Sequence, residues 1–429
     1  MKSSFRMNGK KSVLLRKGIG ILCALALLGG MLAACGGGSA EKTADAAVSE
    51  ASSAAASPTA AASTAATAAE NTAAGGEKTS GDTYKIKIMY SASLCGIPLH
   101  IAKQLKFFEA EGLVEGESYE FLTSSTPGIE MLSTKQADVT FGLVAAMLAP
   151  LDNGLEAKTV IGIHTGCIQI LANANAGIHS LKDLKGKKIG VSQLASSPHI
   201  ISQRALASVG IGTTADNMQV EFVVYNKDDL PVALKKGAID AAALGDPQAT
   251  ILINEGSAVP LFNSATDDLL KDEYCCSLWF RNEVLEKYPE ECARVTRAVQ
   301  KASAWVGQNL DLAAQIQLDN KWLVGDLAID RQVLKTYKYL PSVSGVDEAL
   351  TRNILDMKKL GLIKKDTDEV QLAKNSFLKL EGVPDNIGGT VEPPIDPRTQ
   401  IKSDTAAETA GSTADGTTAT TDAGVQGAK

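Results

Sequence analysis

Cysteine and histidine are the side chains of this chain with the most informative chemistry. The 429 residues include seven cysteines and four histidines. Five of the cysteines, an odd number, fall where the chain can fold, so at least one thiol is free or paired elsewhere. These five are Cys95, Cys167, Cys275, Cys276 and Cys292. No CxxC spacing occurs, which argues against zinc ribbons and thioredoxin-type chemistry.

Sequence motifs of catalysis are missing. The chain has no GxSxG, HExxH, Walker or GxGxxG pattern. His164 and His199 fall near predicted strand ends, but Ser197 beside His199 forms no triad without a placed base and a group to orient it. The sequence therefore predicts a protein that is not an enzyme and has no cofactor or assigned metal.

Helix-start signals recur directly after predicted strands. Thr126-Pro127, Ser197-Pro198 and Asp246-Pro247 each place a capping side chain before proline, and Gly96-Ile97-Pro98 is a looser example. This pairing is typical of helix N-termini. In open α/β sheets such helix starts gather at the carboxyl ends of strands, where ligands bind, and their free N–H groups favour anions. These signals predict a binding crevice.

Alternating strands and helices must position these groups. Periodicity predicts strands at 84–90, 119–122, 139–143 and 159–163, with helices at 98–108 and 145–151 between them. The pattern restarts with a strand ending near 191 and continues with strands at 220–224 and 239–244, after which the chain turns mostly helical. Such alternation indicates βαβ units and largely parallel sheets.

Composition divides the chain into a foldable middle and two polar ends. The ends hold mainly Ala, Ser, Thr, Gly and Glu, too few apolar side chains to offset the entropy of ordering. Crossings between two lobes are predicted at 173–177 and 267–273. The predicted organisation is a signal peptide (1–34), a disordered tether (35–82), a discontinuous lobe 1 (83–173 and 274–398), a lobe 2 (174–273) and a disordered tail (399–429).

The N-terminus has the features of a bacterial export signal. Six basic residues and no acid lie in the first 34 residues, and the apolar run from Ile19 to Leu32 is too short to span a bilayer comfortably. Leu32-Ala33-Ala34-Cys35-Gly36 resembles a lipobox, which implies a lipid anchor on Cys35 at the outer face of the cytoplasmic membrane. An ordinary signal peptide is the alternative.

The charge balance excludes one class of partner. The net charge is -7, and without the basic first segment the rest is more acidic still. An acidic chain of this kind lacks the basic surface that phosphate backbones require, so nucleic acid is not an expected partner.

The segment from Ile101 to Leu113 reads IAKQLKFFEAEGL, and residues 136–139, 180–191 and 237–241 form further short motifs along the chain. In this order they resemble solute-binding proteins of bacterial ABC importers, in the nitrate, sulfonate, taurine and thiamine-pyrimidine-precursor (SsuA/TauA-like) family, whose opening is "IAkekGfFkkeGL". The chain departs from the pattern at Leu105-Lys106, where the family commonly has glycine before the aromatic pair.

The resemblance implies an α/β, type II periplasmic-binding-protein fold, with two lobes joined by two crossings that close on a ligand like a hinge. It implies a monomer that captures a solute and delivers it to a permease and its ATPase. The implied ligand-binding residues are Ser93, Cys95, Gly96, Pro98, Ser125, Thr126, Leu143, Val144, Thr165, Cys167, Ser196, Ser197, His199, Gly245 and Asp246.

The implied binding residues are compatible with an anionic ligand and with an amine-bearing one. The implied loops contain no Arg or Lys, so a sulfonate or nitrate-like anion would depend on helix N-termini and hydroxyls. Asp246 instead favours an amine-bearing heteroaromatic ligand, unless it only caps a helix. Two other classes remain as alternatives: a surface lipoprotein hydrolase or transferase using the same cleft, and a purely structural lipoprotein.

The positions of the cysteines lead to a separate hypothesis. If Cys167 lies on the strand leaving lobe 1 and Cys275-Cys276 on the strand returning to it, these residues are neighbours, and Cys95 faces the same cleft. Such thiols could form a disulfide, bind a soft metal, contact the ligand or act as buried small hydrophobes.

Overall fold

The computed structural model of the chain describes residues 84–124 and 126–402. Outside the described residues lie the predicted signal peptide, the predicted lipid-anchor residue Cys35, the predicted tether, Ser125 and the predicted tail beyond 402. Within the described ranges, no helix combines the length and the apolar character needed to cross a bilayer.

The strands of the described residues are β1 (Ile86–Tyr90), β2 (Tyr119–Thr123), β3 (Val139–Leu143), β4 (Ala157–Thr165), β5 (Ile168–Asn173), β6 (Lys188–Val191), β7 (Thr213–Thr214), β8 (Asn217–Met218), β9 (Glu221–Val224), β10 (Ala241–Gly245), β11 (Ala258–Asn263) and β12 (Tyr274–Arg281). The helices are α1 (Ile97–Gln104), α2 (Phe107–Ala110), α3 (Gly128–Ser133), α4 (Val144–Asp152), α5 (Ser197–Ser208), α6 (Leu230–Lys235), α7 (Gln248–Asn254), α8 (Asn282–Lys287), α9 (Pro289–Gln308), α10 (Leu310–Asp319), α11 (Leu327–Leu334), α12 (Val343–Lys359) and α13 (Glu369–Ser376).

Two five-stranded sheets organise this part of the chain. The first has the order β2-β1-β3-β12-β4 and the second the order β11-β5-β10-β6-β9. In the first, β12 is antiparallel to β3 and β4; in the second, β5 is antiparallel to β10 and β11. The prediction of largely parallel sheets was therefore wrong for these strands. Hydrophobic periodicity reports burial and does not report strand direction.

The first crossing lies earlier than predicted. It was expected at 173–177, but β5 already belongs to the second sheet, so the chain leaves the first sheet at Gly166 and Cys167. All six residues of β5 are buried, so the strand lacks the polar-apolar alternation that marks a half-buried strand. The return crossing lies between Asn263 and Tyr274 and includes the predicted 267–273.

Two of the family-like segments have the same structural role in the two sheets. Asp138 directly precedes β3, and its Oδ2 accepts the backbone N–H of Lys87 at 2.9 Å. Asp240 directly precedes β10, and its Oδ2 accepts the N–H of Lys188 at 2.8 Å. Each carboxylate thus satisfies a backbone donor on a neighbouring strand.

Three aromatic residues fall in the sequence at the spacing of a helix's buried face, which predicts that they pack in the core, and they do so. Phe107, Phe108 and Trp305 are all at most 2% exposed and belong to the main hydrophobic core. The single predicted helix over 98–108 is instead two helices, because Lys106 adopts a left-handed backbone conformation with φ of 66°.

Candidate functional site

A cavity of about 790 Å³ opens where the strand ends of the two sheets face each other. From the first sheet it is lined by the loop after β1, the start of α3, the end of β3 and one side of α4. From the second sheet it is lined by the loop between β6 and α5 and by the end of β10. It thus lies at the carboxyl ends of β1, β3, β6 and β10, where the helix-start signals predicted a crevice.

The cavity brings together most of the residues expected from the resemblance, though not all. Those that line it are Ser93, Cys95, Leu143, Cys167, Ser196, Ser197, Gly245 and Asp246. Those that lie outside its lining are Gly96, Pro98, Thr126, Val144, Thr165 and His199. Ser125 is outside the described residues.

The residues that miss the lining have structural positions instead. Val144 is 1% exposed and packs in the core against Trp279. The Nδ1 of His199 accepts the N–H of Ala195 at 3.1 Å, and burial lowers the pKa of the imidazole. His199 therefore shapes the loop that lines the cavity. Sequence position placed these side chains near a helix start but could not give the direction in which each points.

The helix starts differ by one residue from the predicted positions. α5 begins at Ser197 with Ser196 before it, whereas α3 and α7 begin after Pro127 and Pro247. Among the described residues, no side chain caps the N-terminal N–H groups of α4 or α5, and both helices begin at the cavity. Their N-terminal donors are therefore available to an anion.

Ser197 is the polar side chain best placed to meet a ligand. It is 2% exposed, it lines the cavity, and its Oγ has no hydrogen-bond partner among the described residues. A buried hydroxyl without a partner costs free energy until a ligand or water satisfies it.

Asp246 is already engaged by the protein. Its Oδ1 accepts both the N–H of Thr250 at 3.0 Å and the hydroxyl of Thr250 at 2.7 Å, and Gln169 Nε2 donates to Oδ2 at 3.0 Å. Burial raises the pKa of the Asp246 carboxyl, and these hydrogen bonds oppose that rise. The carboxylate thus anchors the first turn of α7 from the position before Pro247, which is the N-cap of this helix in place of the predicted Asp246.

The cavity also has an apolar wall and one basic side chain that were not predicted from the sequence. Ile129, Phe141, Met147 and Leu194 contribute apolar groups to the cavity, and Lys227 lies exposed at its lining. Leu143, which directly precedes α4, and Met147 and Pro150 within it recur at helical spacing, a signal that could have indicated a shared face. Lys227 precedes α6 in a polar loop, and nothing in its local sequence points to the cavity.

The predicted meeting of the thiols is confirmed. Cys95, Cys167 and Cys276 all line the cavity, and Cys167 Sγ lies 2.6 Å from Cys275 Sγ. His164, from the end of β4, joins this cluster. Hydrogen bonds from neighbouring thiols lower the pKa of Cys275 to about 5.

Comparison with known proteins gives a family and a named relative. The sequence model of the NMT1-like family matches residues 80–318. A putative aliphatic sulfonates-binding protein of Bacillus subtilis (strain 168) is 27% identical over 313 residues, which cover 71% of this chain and 91% of the relative.

Solved structures give the fold. The alkanesulfonate-binding protein SsuA from Xanthomonas axonopodis pv. citri, bound to MOPS, superposes with a TM-score of 0.57 at 19% identity, covering 70% of this chain and 99% of that one. The periplasmic nitrate-binding protein NrtA from Synechocystis PCC 6803 gives a TM-score of 0.57 at 15% identity, covering 69% and 86%. The fold is therefore that of type II periplasmic binding proteins, as predicted, with the mixed sheets described above.

Proposed function

The chain belongs to the NMT1-like family, and we propose that it is the extracytoplasmic solute-binding component of an ABC importer for an aliphatic sulfonate. The relatives named above are binding proteins, which supports a receptor over a lipoprotein hydrolase or transferase.

The combination of donors and apolar surface in one cavity supports this ligand class. The unpartnered Ser197 hydroxyl and the first N–H groups of α4 and α5 supply hydrogen-bond donors for a sulfonate head. Phe141, Met147 and Leu194 supply a surface against which an alkyl chain can be buried. An inorganic anion would use the donors and leave the apolar wall without a partner.

An amine-bearing heteroaromatic ligand is the second candidate, favoured by the Asp246 carboxylate in the cavity wall. Its two oxygens already accept hydrogen bonds from Gln169 and Thr250, so little acceptor capacity remains for an amine. The geometry therefore favours the sulfonate.

The proposal also includes anchoring of the protein to the membrane and delivery of the solute to a permease. Lipidation of Cys35 would hold the receptor on the outer face of the cytoplasmic membrane, where a permease and its ATPase receive the solute. The lipobox-like sequence around Cys35 and the family membership support this step.

Ligand-dependent melting of the full chain, with Cys35→Ser to prevent lipidation, tests the ligand class. Butanesulfonate at 100 times its Kd should stabilise the protein by about 2.7 kcal/mol, which raises Tm by several degrees. Methanesulfonate and nitrate should bind more weakly because they bury less apolar surface. Butylamine is the matched cation, and an aminopyrimidine represents the second candidate. Stabilisation by the amines alone would contradict the sulfonate proposal.

A matched pair of variants on α5 tests the site. Ser197→Ala should weaken butanesulfonate binding about tenfold, because a net hydrogen bond is worth about 1 kcal/mol and more to a charged group. Ser202→Ala is the control, since the Ser202 hydroxyl donates to the carbonyl of Pro198 at 2.7 Å, within its own helix. Equal effects of the two substitutions on binding would remove Ser197 from the site.

A further inference from the structure

A second chemical feature lies at the floor of the cavity. Cys95, from the loop after β1, and Cys276, from β12, meet His164 from the end of β4. Their two sulfurs and one imidazole nitrogen all lie within 4.8 Å of one another. Three elements that are distant in the sequence thus bring together three side chains that can bind a soft metal.

The orientation of His164 supports a metal site independently of the distances between the side chains. The residue is fully buried, and its Nδ1 lies 3.2 Å from the carbonyl oxygen of Thr165. Its Nε2 is buried and has no hydrogen-bond partner among the described residues. An imidazole that donates from one nitrogen to a backbone carbonyl presents the lone pair of the other, which is the usual arrangement of a metal-binding histidine.

The cluster geometry selects which thiols take part. Two sulfurs on one tetrahedral zinc ion, with bonds of about 2.3 Å, lie about 3.8 Å apart. The ligand atoms of Cys95, His164 and Cys276 reach that spacing with contractions of about 1 Å or less, within the range of side-chain rotation. The other group of possible ligands, Cys167, Cys275 and Cys276, contains no imidazole. The sulfurs of Cys167 and Cys275, 2.6 Å apart, would also have to separate by about 1.2 Å to share one such ion.

We propose that Cys95, His164 and Cys276 bind one thiophilic d¹⁰ metal ion, of the class of Zn²⁺, with its fourth coordination position open to the cavity. Cys95 and Cys276 both line the cavity, so an ion between them and His164 faces the space where the solute binds. Three protein ligands with one open position differ from the four closed positions of a structural zinc site.

The ion would also balance the charge of its ligands. Thiolates, and not thiols, bind metals. A bound cation would stabilise two thiolates that otherwise repel each other in a buried position.

Cd²⁺ titration tests the site directly, because thiolate-to-cadmium charge transfer gives an ultraviolet absorption band. The protein is the full chain with Cys23→Ser and Cys35→Ser, kept under a phosphine reductant, so that only the five described cysteines contribute. One equivalent of Cd²⁺ should bind, Zn²⁺ should displace it, and the band should saturate without any sulfonate present. This readout is separate from solute binding, so either proposal can fail alone.

Four variants decide the assignment. Cys95→Ser and His164→Gln should each weaken Cd²⁺ binding by more than the roughly 10- to 100-fold that loss of an outer-shell partner costs. Cys275→Ser, inside the cluster, and Cys292→Ala, a buried thiol that contacts the carbonyl of Val284, should change the affinity less than threefold. Circular dichroism of Cys95→Ser, at a partly exposed position, verifies that this variant folds.

Two results would overturn the proposal. One is the absence of a saturable band from the folded parent protein. The other is a band that survives Cys95→Ser and is lost with Cys275→Ser, which would place the ion on the other group of thiols.

Discussion

Asp246 is the side chain whose charge bears most directly on ligand choice. It lies in the cavity wall as a carboxylate, yet its hydrogen bonds run to Thr250 and Gln169. Its position therefore stabilises α7 while its charge acts on whatever anion enters the cavity. The two effects can be separated by a substitution that keeps the acceptor oxygen and removes the charge.

Asp246→Asn is that substitution. We expect it to strengthen butanesulfonate binding on the order of five- to tenfold, because a partly buried like charge is removed from the cavity wall. Titration calorimetry measures the change, and Gln248→Glu, which adds an acid to the same lining, should weaken binding. Weaker sulfonate binding by Asp246→Asn, together with lost amine binding, would favour the amine-bearing ligand.

The pH dependence follows from the same carboxyl. Burial raises the pKa of Asp246 in the folded protein, so the folded state binds this proton more tightly than the unfolded state. The contribution of Asp246 to stability therefore rises as the pH falls through its raised folded pKa, and sulfonate affinity rises over the same window. Binding measured from pH 7 down to 4 should show this rise, and Asp246→Asn should abolish it.

At the scale of elements, the break between α1 and α2 explains the one departure from the family pattern. Lys106 occupies the position where the family commonly has glycine, and its φ is 66°. In this left-handed region the Cβ of any other residue is strained, whereas glycine is not. The turn requires the conformation in either case, since it lets Phe107 and Phe108 enter the core.

Lys106→Gly should therefore raise the free energy of unfolding, by about 0.5–1 kcal/mol after the greater chain entropy of glycine is subtracted. Urea unfolding measures this difference. Lys106→Ala is the control: it keeps the strained φ and removes only the exposed ion pair with Glu109, so it should not stabilise the protein. A stabilisation as large as that of the glycine variant would show that the charge, and not the backbone, is responsible.

The first crossing depends on a glycine for a different reason. Gly166 has a φ of 71°, and a Cβ there would overlap the Cα and Cβ of Ala265 on the return crossing. The two crossings thus approach each other more closely than any side chain at residue 166 allows.

Gly166→Ala should destabilise the protein by about 2–4 kcal/mol, from backbone strain and overpacking together. Gly177→Ala provides the matched comparison, because Gly177 has a φ of 65° and open space around it, and should cost only about 1 kcal/mol. Thermal melting of both variants separates the cost of overpacking at Gly166 from the cost of backbone strain, which both positions share. Equal losses of stability would mean that the crossings move apart freely.

At the scale of the whole molecule, one buried ionic network joins parts of both halves. Arg204 of α5 donates to both oxygens of Glu273, on the return crossing, at 2.6 and 2.9 Å. Its guanidinium also contacts Asn353 and Asp356 of α12, a helix that packs on β4 of the first sheet. Helix α5, which packs on the second sheet, is thereby connected to the first sheet through the charge of Arg204, which is nearly inaccessible to water.

Arg204→Ala should lower the free energy of unfolding by about 3–5 kcal/mol, because it leaves the buried Glu273 without a charged partner and with only the neutral Asn353 Nδ2 donating to it, at 2.8 Å. Arg294→Ala is the control, since Arg294 pairs with Glu290 on the surface of α9 at 3.2 Å and should cost less than about 1 kcal/mol. Urea unfolding of both variants measures the contrast. A small loss for Arg204→Ala would mean that Glu273 finds water or another donor when the arginine is gone.

The sequence by itself determined the alternation of strands and helices, the helix starts at the cavity, the burial of Phe107, Phe108 and Trp305, and the family resemblance. These features depend on local periodicity, on capping chemistry and on the volume of single side chains. All three are determined by residues that lie close together in the chain. The interpretation of Asp246 as a helix anchor was available for the same reason, since Asp-Pro is a local signal.

Only the tertiary structure decided the rest. The antiparallel insertion of β5 and β12, the entry of Met147 and Lys227 into the cavity, the meeting of His164 with Cys95 and Cys276, and the pairing of Arg204 with Glu273 all join residues far apart in the chain. Strand direction and side-chain encounter are set by which surfaces pack together, and in a single sequence no local pattern records that choice. The helix starts therefore predicted the crevice, and the cysteine positions predicted that the thiols meet. The apolar wall and the position of His164 beside the thiols were not predicted.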